Sequence, residues 1–266
     1  MTIRRAFIFA TVCVLLAACA GLQSGPSPEA KQGLAPTGKL RVALVTVQIY
    51  ATKDSGTQEL KGVGVDLGKE LAKRLGVAFV PVEYAGFPAM IAGAKSGDWD
   101  IGFAGINAER AAAMDFSAPF MEVEIGYLAR AGAPVSTMAD VDKAGIRVGV
   151  LERSPSDVHL TKTIKNATLV RAKSAADLYA MVGAGQADVI STGKTGLFSV
   201  AAKEPGSKVL DGRLFVDLAA IGVPKGRSPA AANYVEGFVQ SAKAEGLVKG
   251  AIDRAVLRGV VVAPPK

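Results

Sequence analysis

Apolar residues recur along the chain with two alternating periods. Over 40–47 they run almost without a break, as in a strand covered on both faces. Over 66–75, Leu67, Leu71 and Leu75 repeat at i, i+4 and i+8, which marks one face of a helix, and Gly76 stops it. The pattern then predicts a strand over 77–84 and a short helix over 87–95 with Phe87, Met90, Ile91 and Ala94 on one side. A strand over 100–104 and a helix opened by Asn107 follow. A second run repeats the plan. It has strands over 146–151, 168–172 and 188–192, a helix opened by Ser154-Pro155 with Asp157 in its first turn, and a helix over 175–184. A strand over 219–224 and helices over 229–245 and 247–256 close the chain. Strands alternating with helices imply parallel sheets covered on both faces. Two such runs imply two α/β lobes with sites at the carboxyl ends of strands.

Two segments lack this alternation. The stretch 20–38, AGLQSGPSPEAKQGLAPTG, has no apolar period and reads as a flexible tether. Before it, Arg4 and Arg5 precede an apolar run over 6–16 that is short for a bilayer, and Leu16-Ala17-Ala18-Cys19 follows. That order is the pattern of a bacterial lipoprotein signal peptide over 1–19, cleaved before Cys19, whose thiol is then acylated. The expected location is the periplasm, with the lipid anchor as the membrane contact. Cys13 and Cys19 are the only cysteines, so the mature chain has no internal disulfide and must be held by its core.

Charge narrows the partners. Lys and Arg total 31 against 24 Asp and Glu, a formal net charge of +7, but the two signs are interspersed and no basic block forms. Nucleic acid is therefore not an expected partner. The single histidine, His159, has no sequence-local acid or thiol beside it, so neither a metal site nor a catalytic triad is implied, and no cofactor is expected. Gly62-Val63-Gly64-Val65-Asp66-Leu67-Gly68 misses the dinucleotide fingerprint, because its last glycine comes one residue late and no strand directly precedes it. Gly193-Lys194-Thr195 ends like a phosphate loop, but Asp188 stands where the first glycine is required.

Arg110 is the residue whose position asks for a reason. With Asn107 as N-cap it lies in the first turn of a helix, where the macrodipole disfavours a cation. An anion held between the helix N-terminus and the guanidinium fork would remove that conflict. Chemistry alone leaves this reading level with an arginine that simply points into solvent.

A resemblance bears on the choice. Gly62-Val63-Gly64-Val65-Asp66-Leu67, Leu75-Gly76, Gly97-Asp98-Trp99-Asp100, Glu109-Arg110 and Asp115-Phe116-Ser117-Ala118-Pro119-Phe120 follow in order. From about residue 40 onward the chain resembles the family 3 periplasmic solute-binding proteins, the polar amino-acid receptors of ABC importers. The resemblance implies a type II periplasmic binding fold: two α/β lobes, each a mostly parallel sheet flanked by helices, closing like a clamshell on a two-strand hinge. Lobe 1 would comprise 39–128 plus 221–266 and lobe 2 would comprise 129–220, with crossings near 126–130 and 217–222. The implied function is a monomeric substrate-binding lipoprotein that delivers a small carboxylate-bearing solute, an amino acid or analogue, to ABC permease subunits.

The same resemblance assigns roles. Arg110 matches the arginine that holds the ligand's α-carboxylate, with Gly105 and Asn107 in the segment before it. Ser154 resembles a hydroxyl contact of lobe 2, and Arg153 could add a second anion contact. Gln48 and Tyr50 line the lobe-1 side, and Phe87 aligns with an aromatic that often flanks the ligand. Trp99 reads as packing. The acid that usually holds the α-ammonium is replaced by Gly193. Glu124 is the candidate in its place, with Glu122 as its neighbour of opposite facing. A ligand without an ammonium, such as a small organic acid, is the other way to account for Gly193. A cyclohexadienyl dehydratase-like enzyme on this fold, needing a buried carboxyl as general acid, and a ligand-sensing receptor are the alternatives to transport.

Overall fold

Each lobe is built from parallel β-α-β units, and the two are joined through antiparallel strands into one sheet. The structure, a computed structural model, describes residues 25–265. The export segment, Cys19 and the first part of the expected tether lie outside the described residues.

The remainder of the tether is not irregular. Residues Pro28–Leu34 form helix α1, with Pro28 in its first turn and Ser27 Oγ accepting from Ala30 N at 3.1 Å. Ala30 and Leu34 are buried against the later helix α8 (Pro229–Ala244). Two apolar anchors in seven residues give too little periodicity to read, yet they suffice once a neighbouring helix supplies the partner surface.

Strand β1 (Lys39–Val45), the small hairpin of β2 (Thr52–Lys53) and β3 (Leu60–Lys61), helix α2 (Val63–Leu75), β4 (Ala78–Tyr84), α3 (Phe87–Ser96), β5 (Ile101–Gly105), α4 (Ala108–Ala111) and β6 (Met114–Phe116) build lobe 1. Then come the long β7 (Met121–Ala129), β8 (Arg147–Leu151), α5 (Pro155–Thr163), β9 (Thr168–Ala172), α6 (Ala175–Gly183), β10 (Val189–Gly193), α7 (Lys194–Ala201) and β11 (Lys208–Val209). The long β12 (Phe215–Pro224) returns to α8, α9 (Leu247–Arg254) and β13 (Val260–Val262). The elements predicted from periodicity are present within a few residues, while α7 begins where the abortive phosphate-loop motif stands.

Among the described residues the main strand order is β4-β1-β5-β12-β7-β10-β8-β9. The outer pairs β1–β4, β1–β5, β8–β10 and β8–β9 are parallel; the pairs at the centre are antiparallel. Strand β7 pairs with β12 over Met121–Ile125 and with β10 over Ile125–Ala129. Strand β12 passes from β7 to β5 at Ala219. Both long strands thus carry the chain between the lobes.

Each lobe repeats one device at the start of its third strand. Asp100, fully buried, accepts from the backbone N (2.9 Å) and guanidinium (2.8 Å) of Arg41, and from Arg227 at 2.9 Å. Asp188 accepts from the backbone N (3.0 Å) and guanidinium (2.9 Å) of Arg147, and from Arg130 at 3.0 Å. These acids are fully engaged in holding strands in register. Trp99 is likewise buried, with Nε1 donating to Met90 O at 2.9 Å, so it packs the lobe.

Candidate functional site

A pocket lies between the lobes, at the carboxyl ends of β1, β8 and β10 and against the hinge strands. From lobe 1 come Val47, Gln48, Ile49 and Tyr50, in the turn after β1, and Phe87 at the start of α3. Tyr50 is held from behind by the start of α2. Gly64 N donates to Tyr50 O at 3.0 Å, and Gly62 has φ +140°, with space for no Cβ beside that carbonyl. The glycines that mimic a dinucleotide fingerprint therefore position Tyr50. Burial, more than the nearby Asp217, raises the pKa of its phenol above the ordinary value.

Lobe 2 contributes the ends of β8 and β10 and the helices that follow. Ser154 caps α5, accepting from Asp157 N at 3.2 Å, and its side chain faces the pocket together with Ser156, Thr192 and Tyr179. Ser156 Oγ is tied to Ser191 Oγ at 3.1 Å. The P-loop-like residues play structural parts: Lys194 pairs with Glu124 at 2.8 Å, and Thr195 Oγ1 donates to Arg258 O at 2.8 Å. His159 lies outside the pocket and stacks on Phe215 at 4.6 Å.

Arg110 sits at the seam. Asn107 Oδ1 accepts from Arg110 N at 2.9 Å, which fixes the four-residue helix α4. The guanidinium is 1% exposed and lies over the Phe87 ring at 4.1 Å. Nη1 donates to Gly105 O at 2.8 Å within lobe 1, and Nη2 donates to Arg153 O at 2.6 Å in lobe 2. Nε, fully buried, has no partner among the described residues. Burial pulls its pKa below the ordinary arginine value, and Asp217 opposes that effect. Arg110 is thus a buried cation bridging the lobes behind Phe87, with one donor unused.

Asp217 is the acid of the pocket. It lies on β12 opposite Val123 of β7, and both residues line the cavity. It is 8% exposed and accepts no hydrogen bond among the described residues. Burial raises its pKa to about 6, with Arg110 pulling the other way. Gly105 is small for a related reason: a Cβ there would collide with the Asp217 carboxylate.

Residues 46–254 match the bacterial extracellular solute-binding proteins, family 3. The chain belongs to this family. The ABC transporter glutamine-binding protein of Bacillus subtilis is 24% identical over 248 residues, which cover 88% of this chain and 89% of that protein. Among solved structures, a mutant of ArgBP from T. maritima superposes with a TM-score of 0.75 at 22% identity, covering 85% of this chain and 99% of that one. The ancestral amino acid-binding protein AncCDT-1, a precursor of cyclohexadienyl dehydratase, gives 0.74 at 23% identity over 84% and 98% of the two chains. The fold is the type II periplasmic binding fold.

Within this family 3 fold several residues stand elsewhere than the sequence suggests. Glu124 does not face the pocket. Val123 and Ile125 do, so Glu122 and Glu124, two apart on one strand, share the opposite side. Glu124 is instead paired with Lys194 and, at 3.3 Å, with Arg213, and the Lys194 hydrogen bond foremost lowers its pKa. Arg153 sends its guanidinium to Glu109 of the other lobe at 3.1 Å rather than to the cavity, and its backbone has φ +54°. Gly193 lines the pocket, and a Cβ there would stand 3.2 Å from Val123. Gln48, Tyr50, Phe87 and Ser154 line the pocket. In the sequence Asp217 stands at the edge of the hinge crossing near 217–222. The available signal was one acid inside the apolar run of β12.

Proposed function

We propose that the protein is the substrate-binding lipoprotein of an ABC importer, tethered in the periplasm through Cys19, and that it captures an amino acid between its lobes. The observation that carries this reading is Arg110: a buried guanidinium at the lobe seam whose Nη2 is held by nothing stronger than the carbonyl of Arg153 and whose Nε is unpaired. A carboxylate is the better acceptor for a planar fork of this kind. When lobe 2 (129–220) swings away from lobe 1 (39–128 plus 221–266), the Arg153 carbonyl leaves and Arg110 opens to the ligand. The ligand's carboxylate then takes that place, the lobes close over it, and the closed monomer docks on the permease. Ligand drives this equilibrium only through its preference for the closed form. Names of relatives support an amino acid as cargo, since they include a glutamine-binding and an amino acid-binding protein.

A thermal-shift screen of the mature domain against amino acids and organic acids tests the reading. A ligand at about 100 times its Kd should stabilise the protein by about 2.7 kcal/mol. Absence of a shift with every carboxylate-bearing solute would overturn it. For the anchor, Cys19→Ala should move the protein out of the membrane fraction, and retention there would contradict lipidation.

Asp217 also favours a second reading, a dehydratase on this fold, because a buried carboxyl titrating near neutrality suits general-acid chemistry. Absorbance assays with prephenate or arogenate separate the two. A receptor gives no turnover, whereas turnover lost in Asp217→Asn would replace transport by catalysis.

A further inference from the structure

We propose that Asp217 is the anchor for the ligand's ammonium group, and that the pocket selects an α-amino acid with a small aliphatic side chain. The inference rests on the receptor reading above and adds the residue and the ligand class.

Among the described residues that line the pocket, Asp217 is the only charged one. It is nine-tenths buried and has no hydrogen-bond donor of its own, unlike Asp100 and Asp188, which are held by arginines and backbone. A buried carboxylate without a partner is costly, so the site is incomplete until a donor or cation enters. Arg110 does not fill that role directly, because its Nη donors go to Gly105 O and Arg153 O. The two residues nonetheless feel each other's charge: the Asp217 carboxylate lines the pocket, and the Arg110 cation lies behind the Phe87 wall, where opening of the lobes exposes it. An α-amino acid carries its ammonium and carboxylate on one carbon and matches that pairing. A carboxylate-only acid would satisfy Arg110 and leave Asp217 repelled.

The walls set the side chain. Val47, Ile49, Val123, Ile125 and Leu151 are apolar, the polar liners besides Asp217 are uncharged, and no second charge lines the cavity to pair with an acidic or basic side chain. The cavity is about 50 Å³, room for only a few waters. A methyl or isopropyl group suits this space better than a long polar chain.

Titration calorimetry tests both halves. Wild-type protein is titrated with L-alanine, L-valine, L-glutamine, L-arginine and L-lactate, alongside Asp217→Asn and Arg110→Ala, with melting curves of each variant to register folding. The expected result is that alanine or valine binds at least tenfold tighter than glutamine, arginine or lactate. Asp217→Asn should lose at least tenfold for the amino acid and lose nothing for lactate, which Asp217 only repels. Unchanged amino-acid affinity in a folded Asp217→Asn overturns the anchor, and wild-type preference for glutamine or arginine overturns the ligand class. If Arg110→Ala weakens binding while Asp217→Asn does not, this proposal falls and the receptor reading stands. If wild type binds none of these solutes and is silent in the wider screen, both fall.

Discussion

The carboxylate of Asp217 rests against the Cα of Gly105, across the antiparallel pairing of β12 with β5. A methyl group at 105 has no place to go while that carboxylate is present. Gly105→Ala should therefore cost about 1–3 kcal/mol in urea unfolding, as overpacking of a rigid site does. Combining it with Asp217→Ala should recover part of the loss, with a coupling energy of at least about 0.5 kcal/mol. Strict additivity would contradict the contact.

Burial of Asp217 also makes its charge a liability to the folded protein. Its folded pKa, about 6, lies above the ordinary 3.8, so the folded form holds the proton more tightly. The stabilisation from that proton is complete below about pH 4 and is lost as pH rises through about 6. Arg110 and Tyr50 are the titratable groups facing it. Asp217→Asn should then be more stable than wild type at pH 7, by on the order of 3 kcal/mol, and the gap should close near pH 4. Calorimetric melts at the two pH values check this, and equal Tm values at pH 7 would contradict it.

Glu124 offers the complementary case. Its carboxylate is half-buried between Lys194 and Arg213 on the side of β7 away from the pocket. Glu124→Gln should leave ligand affinity within about twofold and cost roughly 0.2–1 kcal/mol of stability, the range of partly exposed ion pairs. A tenfold loss of affinity would return Glu124 to the site.

Helix α1 predicts a cost as well. Leu34 is fully buried and packs α1 toward α8, so Leu34→Ala should destabilise by about 2–5 kcal/mol. A flexible tether would make the same change neutral in a denaturant melt.

What could be read from the sequence follows from how each feature is encoded. The Leu67-Leu71-Leu75 stripe and the apolar run of β1 are long enough for periodicity to report them, and Asn107 as a cap was visible from residue type alone. Helix α1 is hidden because its partner surface is α8 and the turn before it, where Arg227, 194 residues on, donates to Gly33 O. In Met-Glu-Val-Glu-Ile the two glutamates must share a face of β7, and Val123 and Ile125 take the inner one, so Glu122 and Glu124 do not face opposite ways. Asp217 needed the tertiary pairing of β12 with β7 before its direction could be known. The link from Arg110 to Arg153 also depends on closure of the lobes, which no local pattern carries.

The proposed role of Arg110 at the lobe seam is to hold the carboxylate of an amino-acid ligand. Its most direct test is the calorimetric Kd of that amino acid for wild type and for Arg110→Ala. Arg110→Ala should bind at least tenfold more weakly, about 1.4 kcal/mol or more. An unchanged Kd would contradict it.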